Sequence, residues 1–292
     1  MENKMDILIA LVPMFAWGSI GLVSGKIGGD ANQQTLGMTI GAFLFSIVTI
    51  FVLQPTVTIW VIVIGFLSGV FWSIGQNGQF HGMKHLGVSV GLPLSTGMQL
   101  ILNTVAGAVF FHEWTKSKDY FMGILALIFL VTGAYLTARQ DDNSQPKTNQ
   151  KMLNFSKGFR ALIFSTIGYG SYTILITWAK LDPAAVILPQ SIGMLAGASA
   201  FAFKKVEVNQ FVWKNMICGL LWGAGNVCML LTLQKVGLAV SFSLSQMGII
   251  ISTLGGIFIL GETKTRKEMT YVILGCLLVI LGGILLGYMK TA

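Results

Sequence analysis

Charge is what this sequence has least of. Only 10% of its 292 residues are Asp, Glu, Lys or Arg, against about 25% in a water-soluble domain, whose surface must face water. That is too little charge to cover a soluble protein of this length, and it excludes that class. Carboxylates are scarcest: there are 11, and all lie in predicted connections or at predicted helix ends. A carboxylate held inside the membrane is the usual means of exchanging a proton for a cation. Its absence argues against a cationic solute. Cysteine is also sparse. Cys218, Cys228 and Cys276 lie inside apolar runs with no CxxC or Cys/His spacing, which excludes a metal or redox centre and reads as small buried hydrophobes. There is no nucleophile–base pair and no phosphate-binding loop. An enzyme is therefore not expected, no cofactor is expected, and any uphill work must draw on a gradient.

What the chain has is apolar length. Hydrophobic residues make up 54% and the mean hydropathy is +0.74. The apolar residues fall in stretches of about 20, the number a helix needs to cross about 30 Å of hydrocarbon. Ten such segments are expected, near 6–25, 35–53, 57–80, 86–111, 120–138, 159–179, 184–203, 211–233, 236–260 and 270–289. The first contains Trp17 and no small-x-small cleavage site, so it reads as a membrane helix rather than a removed signal. The expected class is an all-α, multi-pass protein of the cell membrane with lipid as its main solvent.

The net charge of +8 is no nucleic-acid signal here, because the basic residues sit in the short connections. Of the 19 Lys and Arg, 13 lie on the side of the connection 139–157 and 6 on the side of the termini. The positive-inside bias then places 139–157 in the cytoplasm and both termini outside.

That connection, RQDDNSQPKTNQKMLNFSK, is the one sizeable polar stretch, and it reads as a linker. It divides the chain into a first five-helix repeat (1–138) and a second (158–292), and the two correspond block by block. Trp17-Gly18-Ser19 corresponds to Tyr169-Gly170-Ser171, and GMTIGA at 37–42 to GMLAGA at 193–198. Gly65-x-x-x-Gly69 recurs as Gly219-x-x-x-Gly223. Gly87 and Ser95 correspond to Gly237 and Ser245, and TVAGAVFFHE at 104–113 to TLGGIFILGE at 253–262. Five matches in one order indicate a repeat. With an odd number of helices the second copy enters the membrane from the opposite side. This predicts an inverted repeat with two near-equivalent packings, the basis of alternating access.

The polar residues inside the apolar segments define a candidate site. They are Gln76, Asn77 and Gln79 in the third segment, Ser95, Thr96, Gln99 and Asn103 in the fourth, and Gln190 in the seventh. Asn226 follows in the eighth, and Ser245, Gln246, Ser252 and Thr253 in the ninth; Trp17, Trp72, Trp178 and Trp222 lie near them in sequence. Amides both donate and accept hydrogen bonds, which suits hydroxyls, and an indole face suits the apolar side of a sugar ring. From these, Trp17, Gln76, Asn77, Ser95, Gln99, Asn103, Gln190, Trp222, Asn226, Ser245 and Gln246 are the expected solute-binding set. Pro93 and Pro189 are expected to interrupt their helices and free carbonyls near it. Titratable candidates for proton coupling are Glu113 and Glu262, which end the matched fourth and ninth segments, and His81 and His85. The two carboxylates are equally open to structural pairing with Lys116 or Lys264.

Several stretches also resemble a known family. They are PMFAWGS (13–19), GVSVGLPLSTGMQL (87–100), LPQSIGM (188–194), GNVCMLLTLQKVGLAVSFSLSQMG (225–248) and STLGGIFILGETK (252–264). Together they are similar to the glucose/ribose porter family of the drug/metabolite transporter superfamily, bacterial glucose uptake proteins above all. The resemblance spans essentially the whole chain. It implies a ten-helix fold and import of a small neutral sugar, glucose first and ribose next, coupled to protons, and it leaves a homo-oligomer open. Where the family pattern has a Gln-rich run, this chain has GQNGQFHGMKH at 75–85. Export or exchange of another neutral metabolite, such as an amino acid, is the competing reading.

Overall fold

The computed structural model describes residues 2–111, 114, 116–139, 154–203, 206–236, 245 and 248–291. Among these the secondary structure is helical throughout. Ten helices follow one another: α1 (Glu2–Ile27), α2 (Ala31–Leu53), α3 (Ile59–Leu86), α4 (Val88–Val109) and α5 (Ser117–Ala138), then α6 (Phe155–Ala179), α7 (Pro183–Ala202), α8 (Gln210–Val236), α9 (Gly248–Phe258) and α10 (Arg266–Thr291). Seven of them, α2 to α7 and α10, are long and apolar enough to cross a membrane. Large apolar side chains point away from the protein along them. Phe51, Val52, Ile59, Phe121 and Phe164 are all exposed, an arrangement that only a hydrocarbon solvent favours.

With lipid outside, hydrophobicity does not drive helices together, and small residues let backbones approach. α2 packs on α8 and on α7, α3 packs on α6 and α7, and α1 packs on α8. The glycines of the matched blocks lie in these contacts. A methyl at Gly37 or Gly41 of α2 would collide with the Val212 or Met216 carbonyl of α8, and one at Gly219 with the Met38 carbonyl of α2. Gly193 of α7 approaches the Phe66 carbonyl of α3, and Gly69 of α3 approaches the Gln190 carbonyl of α7. Further contacts pair α5 with α10, α4 with α5, α6 and α9, α1 with α9, and α3 with α2 and α4.

Among the described residues, several carboxylates have a clear use. A helix start leaves N–H groups without partners and carries partial positive charge. Asp30 accepts from the Asn32 and Gln33 amides at the start of α2, while Gln33 Oε1 accepts the Asp30 amide, a capping box. Asp119 accepts the Lys116 amide before α5, Asp182 accepts the Ala184 amide on α7, and Glu268 accepts the Thr265 amide before α10. Acid is found where helix ends need it.

Neither proline breaks its helix. α4 runs through Pro93 and α7 through Pro189. Each proline forgoes the one N–H that would bond the carbonyl four residues back, and the helix continues past it.

Candidate functional site

One face of α3 carries a stripe of Trp72, Gln76, Gln79 and Phe80, all buried, because residues three and four apart share a helix face. Two other helices meet that stripe. Tyr169 on α6 donates its hydroxyl to Gln76 Oε1 at 2.6 Å and lies 3.4 Å from Gln79 Oε1. Gln76 Nε2 lies 3.4 Å from Gln79 Oε1. On α4, Ser95 Oγ accepts from Gln79 Nε2 at 2.9 Å and from Gln99 Nε2 at 3.0 Å. The result is one continuous chain, Tyr169–Gln76–Gln79–Ser95–Gln99, running from α6 across α3 to α4. Asn103 extends the α4 face by one turn, and its Oδ1 is buried with no hydrogen-bond partner.

Aromatic rings wall this chain. The Trp72 ring centre is 5.5 Å from that of Trp222 on α8 and 5.9 Å from that of Tyr169, and Tyr172 stands 6.2 Å from Tyr169. Trp17 on α1 closes the group by donating its indole N–H to the Trp222 carbonyl at 3.3 Å. These edge-to-face contacts fix the ring orientations. Amide and hydroxyl groups thus converge beside aromatic faces, and no carboxylate takes part in the chain.

The expected residues are divided by the fold. Gln76, Ser95, Gln99, Trp17 and Trp222 are drawn into one region. Asn77 is not: its amide nitrogen donates to Asn32 Oδ1 at 2.8 Å and approaches Thr35 Oγ1 at 3.3 Å, tying α3 to α2. Gln190 is buried on α7, and Asn226 is half-buried one turn beyond Trp222. Among the described residues, no hydrogen bond joins either side chain to the chain. Ser245 is buried, like Ser95, which it matches in sequence. Gln246 and Glu113 lie outside the described residues. Trp178 stands away from the site, exposed and 6.0 Å from Trp60, a pair suited to the membrane–water interface. Gln79, Tyr169 and Tyr172 enter the site although the expected set omits them. For Tyr169 a signal existed, since Tyr169-Gly170-Ser171 matches Trp17-Gly18-Ser19 in sequence.

Glu262 does not pair mainly with Lys264. Its carboxylate accepts the Val88 amide at 2.5 Å, the Ser89 amide at 3.0 Å and the Ser89 hydroxyl. A residue of the second half thereby caps α4 of the first. Gly87, with φ +80°, is needed immediately before it, both for that backbone angle and because a Cβ there would press on the carboxylate. Lys264, in the connection after α9, has its ammonium pushed down from the ordinary lysine value by burial, with Glu268 and Glu262 opposing the shift. His81 and His85 lie at the end of α3, partly buried; the hydrogen-bonded chain does not include them.

Residues 8–289 match the family described as "Sugar transport protein". The chain belongs to that family. Relatives agree with this assignment. A "Putative sugar uptake protein" of Enterococcus faecalis is 74% identical over 98% of this chain and 100% of its own length. Proteins described in the same words from Streptococcus pyogenes serotype M1 and Streptococcus agalactiae serotype V are each 51% identical over 98% of this chain and 99% of their own. A solved crystal structure superposes with a TM-score of 0.58 at 15% identity, covering 97% of this chain and 96% of the other, a likeness of fold. As a member of the sugar transport family the chain is a transporter and not an enzyme.

Proposed function

We propose that this chain is a secondary transporter that imports a neutral monosaccharide across the cell membrane, glucose first and ribose next, coupled to protons, by alternating access. The observation that carries the reading is the uncharged chain Tyr169–Gln76–Gln79–Ser95–Gln99 beside the Trp72 and Trp222 rings. Each of its amides carries donors and an acceptor. Sugar hydroxyls can replace these mutual bonds one for one, and the ring faces take the C–H side of the pyranose.

The helix contacts support the inverted-repeat reading. Exchanging the halves pairs α1 with α6, α2 with α7, α3 with α8, α4 with α9 and α5 with α10. Under that exchange the contact of α3 with α6 becomes that of α8 with α1, α3 with α7 becomes α8 with α2, and α4 with α6 becomes α9 with α1. All of these are observed. The glycine contacts exchange in the same way: Gly37 and Gly41 face α8, and their counterparts Gly193 and Gly197 face α3. A molecule built from two such copies has two related packings, and moving between them exposes a central site to each side in turn.

The test is uptake of labelled glucose, ribose and a neutral amino acid into proteoliposomes, with and without an inward proton gradient. The proposal expects glucose to accumulate only with the gradient. Accumulation of the amino acid instead would overturn the substrate, and equal uptake without the gradient would overturn the coupling.

A further inference from the structure

A cavity of about 210 Å³ lies outside the aromatic-walled site, at the ends of α1 and α3 and the starts of α2 and α4. Its lining includes Ser24, Gln34, Phe80, Met83, Lys84 and Val88. These helix ends all lie on the face that bears the 139–157 connection, as does Glu262, whose carboxylate accepts the amide of Val88 in the cavity lining. Ser24 is 1% exposed, and its Oγ has no hydrogen-bond partner. A buried hydroxyl is normally paired, so an unpaired one lining a cavity marks a place for a polar guest. Gln34 is partly spoken for: its nitrogen lies 3.3 Å and 3.4 Å from the Ser24 and Gly28 carbonyls. Lys84, Gly25 and Gly29 are exposed and form the mouth, while Phe80 and Met83 are buried at the floor.

Phe80 is the partition. It follows Gln79 directly and lies one turn from Gln76, so its ring, 2% exposed, belongs both to the cavity lining and to the helix stripe that carries the amides. No carboxylate lines the cavity, and Lys84 at the mouth offers only donors. This lining disfavours a cation, and on the sugar-import reading the guest is a small neutral solute rich in hydroxyls.

We propose that this cavity is an outer subsite for the transported solute on the linker-bearing face, and that the Phe80 ring is the barrier between it and the amide chain. The class of solute rests on the sugar-import reading; the path does not.

The test uses the full chain with Cys218, Cys228 and Cys276 replaced by Ala, in membrane vesicles of both orientations. Single cysteines are introduced as Ser24→Cys, Gln34→Cys and, separately, Ser95→Cys with and without Phe80→Ala. A membrane-impermeant methanethiosulfonate should label the first two from the linker-bearing face only. Glucose at about ten times its Kd should slow that labelling roughly tenfold, as occupancy of one site requires. Ser95→Cys should resist the reagent from that face and become reactive when Phe80→Ala is added. The subsite is overturned if neither Ser24→Cys nor Gln34→Cys is labelled there, or if both are labelled without protection by glucose while the cysteine-free parent still takes glucose up. The barrier is overturned if Ser95→Cys reacts equally with and without Phe80. If the parent takes up no sugar at all, the solute class falls, and the labelling pattern alone then judges the path.

Discussion

Tyr169 shows how much one hydroxyl organises in a buried site. It bonds Gln76, and through Gln76 and Gln79 its orientation reaches Ser95 and Gln99 on another helix. Tyr169→Phe keeps the ring that packs on Trp72 and removes only this link. A hydrogen bond of this kind is worth about 1 kcal/mol net, so uptake affinity should weaken by roughly five- to tenfold, read as KM in proteoliposomes with expression unchanged. Asn226, one turn beyond Trp222, has a different expected behaviour. If it bonds the sugar directly, Asn226→Leu abolishes uptake while the protein still reaches the membrane, and normal uptake by that variant removes it from the site. Glu262→Gln bears on coupling. It keeps an acceptor at the start of α4 but loses the charge that a helix N-terminus favours by about 0.3–1 kcal/mol. If Glu262 carries the coupled proton, the variant loses gradient-driven accumulation and keeps downhill exchange. A parallel fall in both would show that its work is the α4 cap alone.

At the scale of elements, the fold depends on backbones that touch. Gly69 faces the Gln190 carbonyl and Gly219 the Met38 carbonyl, whereas Gly223 faces the Phe45 side chain. A side chain can turn aside; a carbonyl within a helix cannot. Gly69→Ala and Gly219→Ala should therefore each cost about 1–3 kcal/mol, the range for overpacking a tight interface, and Gly223→Ala less. Thermal unfolding of the three variants in one detergent tests the order, and an equal loss in all three contradicts it. The contact of Glu262 with α4 works at this scale too. It joins groups 174 and 173 residues apart, so movement of α9 against α4 must break or carry this cap. That places a charged latch between the halves on the face where the outer cavity opens.

For the molecule as a whole, orientation is the quantity left to measure. With 13 of 19 basic residues on the linker side, the positive-inside bias puts that side in the cytoplasm. A cysteine at Ser144 should resist an impermeant thiol reagent applied to intact cells, and one at Thr291 should react. The reverse pattern would invert the topology and place the Phe80 cavity on the outer face.

The helices were legible along the chain because each must satisfy its own backbone in lipid, a local requirement that apolar length and short polar connections report directly. The glycine pairs were legible as matched blocks, and the packing makes them points of close backbone approach. Sequence likewise marked Gln76, Ser95, Gln99, Trp17 and Trp222 as polar or aromatic residues worth attention, because such groups are costly inside a membrane without a task. Which of them meet was decided by tertiary packing. Gln76 and Asn77 are adjacent in the chain, yet a helix turns them to different neighbours: Gln76 to Tyr169, Asn77 to Asn32. Trp178 reads like Trp72 in sequence and lies outside the site, because a helix face is assigned only when its partners arrive. Glu262 read as a coupling candidate or half of an ion pair, and its carboxylate also caps α4, since the N–H groups it serves belong to a segment in the other half of the chain. The sequence by itself determined the solvent, the helices and the inventory of polar groups, all properties of single segments. The tertiary structure alone decided their pairing, because hydrogen bonds and ring contacts between helices depend on rotation and register that no single segment contains.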